Sequence, residues 1–192
     1  TKDDCREVLA RLSHRGFSVL ALHGDLLQPE REHALTVFAN GSCTVLVATD
    51  VAARGLDIKG LELVVNYSLS PMDEVHLHRI GRTGRAGHAG LALSLFTPGE
   101  KHRLAAFEKA FAITIKPLPL PMADDRARPP VPRMATARLS GGRNDKLRPG
   151  DILGALTTDA KIPGEDIGKI NIFDRFSYVA IARTRMHDAV TR

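Results

Sequence analysis

The sequence predicts an α/β fold with a parallel sheet covered by helices on both faces, followed by a smaller α+β module. Short apolar runs alternate four times with helix-like segments in the first part, which is the pattern of buried parallel strands. Six prolines then fall between residues 116 and 133, where they exclude both helix and central strand. A β-α-β-β-α pattern follows, which is a split βαβ unit without its last strand.

The elements of the first part each have a local signal. Pro29 and Pro71 occupy positions that favour the first residue of a helix, and Ser70 is an expected helix cap. Nothing in the sequence marks a cap before the first helix, and we expect the chain to be a piece of a longer protein. Predicted helices cover residues 3–15, 28–39, 71–80 and 99–111, and predicted strands cover residues 17–23, 44–48, 61–67 and 90–96.

The second part begins after the proline-rich segment. We expect a first domain over residues 1–116, a semi-rigid linker over 117–132 and a small domain over 133–192. Because its last strand is missing, the small domain should have an open sheet edge that can pair with another chain. Its predicted elements are strands 134–139, 167–173 and 176–182, a charged glycine-rich loop 141–146, a helix 149–157 and a helix from residue 184.

Charge is distributed unevenly along the 192 residues. The formal net charge of +5 combines a net −1 over residues 1–125 with a net +6 over residues 126–192. This asymmetry indicates a polyanion-binding tail, with simple solubility as the alternative reading. The two cysteines form no CxxC pair, which favours a reducing, cytoplasmic setting. We expect no membrane segment, signal peptide or metal site, because no long apolar run or metal-ligand spacing is present.

Residues 78–85, which read HRIGRTGR, are the most informative stretch. Arginine presents a planar fork of donors that fits phosphate oxygens, and glycine lets a ligand approach the backbone closely. A transferring phosphoryl group needs this combination, because its transition state is stabilised mainly by positioning and charge. A solvated basic loop is the competing interpretation.

The predicted sheet indicates where a ligand would bind. In open α/β sheets ligands bind outside the carboxyl ends of the strands. Gly24 and Thr49 follow such ends, and Asp57 and the arginine stretch lie on loops that can reach the same edge. We therefore expect one site along that edge.

Three segments together resemble motifs of the DEAD-box RNA helicases. In chain order they are Gln28-x-x-Arg31, residues 48–57 (ATDVAARGLD) and residues 78–85, and the motifs of that family occur in the same order. The resemblance covers the first domain and implies the second RecA-like domain of such a helicase. In the tail, residues 145–157 and 166–170 resemble the RNA-binding domain of the DbpA subfamily. That RRM-like domain implies recognition of a hairpin of large-subunit ribosomal RNA, and a role in ribosome assembly.

Residue roles follow from the resemblance, position by position. It implies that Arg82 and Arg85 are catalytic arginine fingers on the ATP phosphates, and that Gly55 and Asp57 complete the nucleotide site, with Asp57 accepting a hydrogen bond from the ribose. Helix or turn capping is the alternative for Asp57. The implied RNA-binding residues are Gly24, Arg31, Thr49, Arg143, Lys146, Arg148 and Lys169. The implied interdomain or supporting residues are Gln28, His78 and Arg79.

Some of these assignments have open alternatives. Arg31 could instead form a helical ion pair with Glu30 or Glu32. Phe176 and Tyr178 could stack RNA bases, but a core or edge role fits them equally, because the strand lacks the usual glycine-aromatic pattern of an RRM.

The resemblance also implies parts that this sequence lacks. It contains no GxxxxGK[ST] P-loop and no Asp-Glu-Ala-Asp motif. We therefore expect ATP with Mg²⁺ as cofactor, with Mg²⁺ held by an N-terminal domain, and negligible ATP hydrolysis by this chain alone. The expected function is local unwinding of structured RNA in pre-ribosomal particles. The alternatives are a non-catalytic RNA-binding module and a DNA helicase of a related superfamily, and the RRM-like tail favours RNA.

Overall fold

A computed structural model describes residues 1–53, 58, 61–84, 89–122, 124 and 126–191 of the chain. The chain divides into two compact units, which we describe separately. The first unit combines Thr1–Ala53 with Ala127–Arg192, and the second is Arg54–Arg126.

Helices and short strands alternate along the described residues. The helices are α1 Lys2–His14, α2 Gln28–Ala39, α3 Asp50–Ala53, α4 Asp73–Ile80, α5 Lys101–Phe111, α6 Pro149–Gly154 and α7 Met186–Thr191. The strands are β1 Val19–Leu22, β2 Val45–Ala48, β3 Leu63–Asn66, β4 Leu91–Ser94, β5 Met134–Leu139, β6 Ile167–Ile172 and β7 Ser177–Ala182.

The strands of the first part are parallel, as predicted. In the first unit β1 pairs with β2, and Leu22 lies opposite Ala48 at their carboxyl ends. In the second unit β3 pairs with β4, and Asn66 lies opposite Ser94. The described residues thus form two parallel pairs, one in each unit. Helices connect the strands of each pair, so the predicted α/β class is confirmed.

The tail forms a three-stranded antiparallel sheet in the order β5-β7-β6. Val179 and Ile181 of β7 pack with Ile152 of α6 and with Ile162 in a buried core on one face of this sheet. The predicted β-α-β-β-α order is therefore present. Within the described residues, β5 and β6 each pair only with β7, so the outer edge of β5, like that of β6, is not paired with another strand.

Two local expectations were wrong, and one short helix was not predicted. Thr1 caps α1, because its Oγ1 accepts a hydrogen bond from the Asp4 backbone N–H at 3.2 Å. Helix α4 begins at Asp73 rather than at Pro71, because the Ser70 Oγ accepts from the Met72 N–H at 3.2 Å and forms a turn ahead of the helix. The four-residue helix α3 was not predicted, because it is too short to show a hydrophobic period.

No helix in the described part of the chain combines the length and the apolar character that crossing a membrane requires.

Candidate functional site

Arg82 lies on a turn that is fixed to the chain segment ahead of β3. The Leu61 N–H donates to the Arg82 carbonyl oxygen at 3.1 Å, and the Thr83 hydroxyl donates to the Leu61 carbonyl oxygen. Thr83 is 8% exposed, so this bond is largely shielded from water. Gly84 has φ +65°, a backbone conformation that glycine adopts without strain. The turn therefore places the base of the Arg82 side chain at a defined position.

The helix that precedes this turn is tied to the end of β3. Arg79 Nη1 donates to the Ser68 carbonyl oxygen at 2.7 Å. His78, by contrast, is exposed on α4. The Arg79 bond is of the supporting kind that the resemblance implies for this position, and the supporting roles of Arg79 and His78 stay predictions.

Arg85, Gly55 and Asp57 lie outside the described residues, so their predicted roles in the nucleotide site stay predictions. Of the predicted ATP-binding residues, Arg82 is the one for which the structure gives a position.

Gly24 and Thr49 lie at the carboxyl edge of the β1–β2 pair, as the fold predicts. The Thr49 N–H donates to the Leu22 carbonyl oxygen at 3.0 Å, which aligns the end of β2 with the end of β1. Gly24 follows two residues after Leu22 and is exposed. Next to it, the carboxylate of Asp25 accepts from Lys2 Nζ at 2.7 Å and from Arg6 Nη2 at 2.8 Å. The hydrogen bond from Lys2 lowers the pKa of Asp25, so this carboxylate stays ionised and holds the loop against α1.

Arg31 contacts the segment that follows β2. Its Nη2 lies 3.5 Å from the Ala52 carbonyl oxygen of α3, a long hydrogen bond. The two glutamates considered as its partners are used elsewhere: Glu30 accepts from the Leu27 N–H at 2.7 Å and Glu32 from Gln28 Nε2 at 2.9 Å. Because the structure describes Arg31 and both glutamates and places no ion pair between them, the helical ion-pair alternative is not supported.

The predicted loop of the tail is held rigidly. The Arg143 N–H donates to the Phe173 carbonyl oxygen at 2.8 Å, and the Ser177 hydroxyl donates to the Gly141 carbonyl oxygen at 2.7 Å. A Cβ on Gly142 would lie 2.6 Å from the backbone carbonyl carbon of Asp174, so only glycine fits there. The loop is therefore a fixed support for its cations.

The predicted tail cations occupy different places on this support. Arg143 forms an exposed ion pair with Asp174, with Nη2 and Oδ1 2.9 Å apart. Lys146 and Arg148 are exposed close by in the chain, and Lys146 ends the turn with φ +60°. Lys169 is exposed on β6, at the irregularity between Ile167 and Ile170. The structure thus groups Arg143, Lys146 and Arg148 on one loop and places Lys169 on a strand.

The tail also carries a cluster of an arginine and aromatic rings. The sequence pointed to Phe176 and Tyr178 but not to Arg138 or Phe173. The Arg138 guanidinium lies 4.7 Å from the centroid of the Phe176 ring, and Phe173 stacks on Phe176 with centroids 4.8 Å apart. Arg138 lies opposite Tyr178 in the β5–β7 register. The alternating pattern of residues 134–139 indicates which side chains of β5 share a face with Arg138. Local sequence does not indicate that β7, which carries Tyr178, is the neighbouring strand.

One buried histidine lies near the arginine turn. His76 of α4 is 8% exposed and stacks on Phe107 with ring centroids 4.5 Å apart. Burial lowers the pKa of His76, the nearby Arg79 charge lowers it further, and Asp73 opposes the shift. The ring is thus held neutral near pH 7, and it serves packing rather than charge.

The donor set of these residues fits anions rather than metals. Within the part of the chain that the structure describes, no three His, Cys, Asp or Glu side chains group as metal ligands. Arg82 on a fixed turn is suited to phosphate oxygens, since guanidinium binds them in a bidentate way. Arg82 on this turn thus fits a phosphate group, and its predicted role toward ATP stays a prediction.

Comparison with known proteins agrees with this geometry. Residues 1–87 match the helicase conserved C-terminal domain, and residues 136–192 match the DbpA RNA binding domain. The chain is 49% identical over 189 residues to the ATP-dependent RNA helicase DbpA of Escherichia coli, covering 98% of this chain and 41% of that protein. It is 33% identical over 202 residues to DbpA of Bacillus subtilis, covering 94% and 42% of the two chains.

Solved structures support the same fold. A DEAD box protein from Methanococcus jannaschii superposes with a TM-score of 0.58 at 42% identity, covering 62% of this chain and 33% of that one. The Escherichia coli DEAD-box protein SrmB, in its complex with the regulator RraA, gives a TM-score of 0.56 at 32% identity, covering 68% and 76%.

An arginine turn, parallel α/β strands and an antiparallel RNA-binding module define the C-terminal region of an RNA helicase. The chain belongs to the DEAD-box ATP-dependent RNA helicase family, in its DbpA subfamily. It spans about two fifths of the length of the two DbpA relatives, at 41% and 42%.

Proposed function

We propose that this chain supplies the second motor domain and the RNA-targeting module of an ATP-dependent RNA helicase that locally unwinds structured RNA. The observation that carries the proposal is the joint presence, in one chain, of the helicase C-terminal domain and the DbpA RNA-binding domain. The fixed Arg82 turn fits the first role, and the net +6 of residues 126–192 fits the second.

In this proposal Arg82 and Arg85 donate hydrogen bonds to the ATP phosphates and stabilise the charge of the transition state. An arginine in this position contributes roughly 10³–10⁵ in rate. Gly55 and Asp57 complete the nucleotide site, with Asp57 accepting from the ribose. ATP would bind together with Mg²⁺, and the P-loop domain that holds Mg²⁺ would come from outside these 192 residues. The chain alone should therefore hydrolyse ATP negligibly.

RNA would contact both modules. Gly24, Arg31 and Thr49 at the β1–β2 edge would grip the RNA backbone without reading its sequence, since phosphate and sugar contacts carry little sequence information. The fixed tail loop with Arg143, Lys146 and Arg148, together with Lys169, would hold a structured RNA. Gln28, His78 and Arg79 would support the loops or join the two motor domains.

We further propose a hairpin of large-subunit ribosomal RNA as target, action in pre-ribosomal particles, and a cytoplasmic location. These rest on the DbpA subfamily resemblance and, for location, on two cysteines that are buried and unpaired by disulfide. Self-association through the open β5 edge is a further part of this proposal.

The test is RNA binding by the chain across a salt series, on a large-subunit ribosomal hairpin and on a scrambled RNA of equal length. Substitutions suit this chain better than truncation, because the tail and Thr1–Ala53 form one compact unit. We expect a preference for the hairpin that persists at higher salt and is lost when Lys146 and Arg148 become Glu. Equal, weak binding of both RNAs would contradict the targeting role.

The alternative function is a non-catalytic RNA-binding module. It predicts that joining this chain to a P-loop domain of a DEAD-box relative gives no RNA-stimulated ATP turnover. Turnover that depends on Arg82 would exclude it.

A further inference from the structure

One cation of the tail is held by aromatic rings and not by a carboxylate. The Cζ atom of Arg138 lies 4.7 Å from the centroid of the Phe176 ring. Phe173 stacks against the same ring with centroids 4.8 Å apart and planes 20° apart, and Tyr178 meets it edge-on with centroids 5.3 Å apart. Among the residues that the structure describes, none forms a hydrogen bond or an ion pair with the exposed Arg138 side chain. Its position is therefore constrained while its charge is not balanced by an acid.

The other arginine beside these rings is in a different state. The Arg143 N–H donates to the Phe173 carbonyl oxygen at 2.8 Å, so its backbone adjoins the stack. Its guanidinium, however, is paired with Asp174, because Nε and Nη2 each lie 2.9 Å from Oδ1. A phosphate that binds Arg143 must compete with this carboxylate for the same donors. At Arg138 such a ligand competes only with water.

The rings hold Arg138 in a way that leaves its donors usable. A cation over a ring face is attracted by the negative charge of that face. The N–H groups of guanidinium lie in its own plane, so stacking on a ring and bidentate binding of phosphate are compatible. A side chain that is already held loses less conformational freedom when it binds a ligand. The Phe176 ring already has a guanidinium and a second ring against it, and an RNA base would compete with both.

The backbone places this stack next to the charged loop of the tail. Strand β5 ends at Leu139, one residue after Arg138, and the loop begins at Gly141. The Phe173 N–H donates to the Phe176 carbonyl oxygen at 2.9 Å and closes the β6–β7 turn. The bond from Arg143 to Phe173 ties the loop to that turn. Through Phe176, Arg138 therefore belongs to the same fixed surface as the loop.

We propose that Arg138 is a phosphate contact for RNA, held in position by Phe176, and that Phe176 acts through Arg138 rather than by stacking on a base. The inference rests on the proposed function, which is RNA binding by the tail, and adds a contact outside the charged loop. An RNA phosphate fits this position because two guanidinium N–H groups match two phosphate oxygens. Phe176 is then a positioning residue.

RNA binding across a salt series tests the contact, with a large-subunit ribosomal hairpin as the probe. Arg138→Ala should weaken binding about tenfold at low salt and reduce the slope of log affinity against log salt by about 1. Arg133→Ala is the matched control, because it removes an exposed arginine just before the same strand. At about 3.3 Å per residue it lies roughly 16 Å away along β5, and affinity should stay within about twofold with the slope unchanged.

A double-mutant cycle separates positioning from stacking. Phe176→Leu should weaken binding about threefold and leave the salt slope unchanged, because the charge of Arg138 is retained. In the Arg138→Ala chain the same substitution should have no further effect. Phe176→Tyr keeps a ring beneath the guanidinium and should hold affinity within about twofold of the native chain. A further loss by Phe176→Leu in the Arg138→Ala chain overturns the positioning role, since the ring then contacts RNA by itself.

Nuclear magnetic resonance of the native chain tests the positioning without RNA. The ring current of Phe176 should shift the Arg138 Nε–H resonance upfield of the Arg133 resonance, and an unshifted resonance overturns the positioning role even where Phe176→Leu does not fold. Binding that Arg138→Ala leaves unchanged in affinity and salt slope overturns the phosphate contact, while the proposed function stands. Absence of RNA binding by the native chain overturns the proposed function together with the contact.

Discussion

The Thr83 hydroxyl offers a direct way to loosen the arginine turn without touching an arginine. Thr83→Val keeps the β-branched shape and removes the hydrogen bond to the Leu61 carbonyl oxygen. A lost bond of this kind costs about 1 kcal/mol, and the cost rises to about 2 kcal/mol when the former acceptor stays shielded from water. Because Thr83 is largely buried, we expect a free energy of unfolding lower by about 1–2 kcal/mol.

The assay has a stability readout and a functional one. Urea denaturation followed by circular dichroism measures the first, with exposed Thr158→Val as the matched control, which should stay within about 0.5 kcal/mol. For the second, the chain is joined to a P-loop domain of a DEAD-box relative. A turn displaced by about 1 Å should lower the turnover number about 10- to 100-fold, with RNA affinity unchanged.

The reasoning is refuted if Thr83→Val lowers stability by the stated amount and ATP turnover stays at its original value. In that case the turn does not position Arg82 for catalysis. Unchanged stability would instead show that the bond to Leu61 contributes nothing.

Three further outcomes are expected. Arg82→Ala in the joined protein should lower ATP turnover about 10³-fold or more while RNA affinity changes less than threefold, and equal losses in both would reject the finger assignment. Burial lowers the pKa of His76, so the unfolded chain binds a proton at this residue more tightly than the folded chain does. The free energy of unfolding should therefore fall as pH drops below about 6.5. His76→Phe should remove this component from denaturation curves measured over a series of pH values. Replacing Lys146 and Arg148 by Ala should reduce the slope of log affinity against log salt by about 2, and an unchanged slope would place the RNA elsewhere.

Much of the fold follows from local sequence. Residues 134–139 were predicted as a strand and are β5, because an alternating pattern with a turn signal on each side determines both face and length. The start of α4 could not be read in this way. Ser70 and Pro71 suit a helix start, but the same residues form a turn when the serine hydroxyl accepts from Met72 instead.

The candidate site, like the fold, could be predicted from local sequence only in part. Glycine and arginine spacing predicted a loop at the end of α4, and Arg82 lies on a turn there, while its role toward phosphate stays a prediction. The hydrogen bond between His33 and Tyr178 could not be predicted, since the two residues are 145 positions apart and neither has a local signal for the other. A strand sequence states which residues share a face, but it does not state what covers that face.

The measurement that tests the central claim most directly is ATP turnover by this chain joined to a P-loop domain, with a ribosomal hairpin or a scrambled RNA of equal length. The account predicts turnover that the hairpin stimulates more than the scrambled RNA, that Arg82→Ala abolishes, and that the chain alone lacks. Turnover without dependence on Arg82, or no turnover on any RNA, would contradict the assignment of this chain as the C-terminal part of a working helicase.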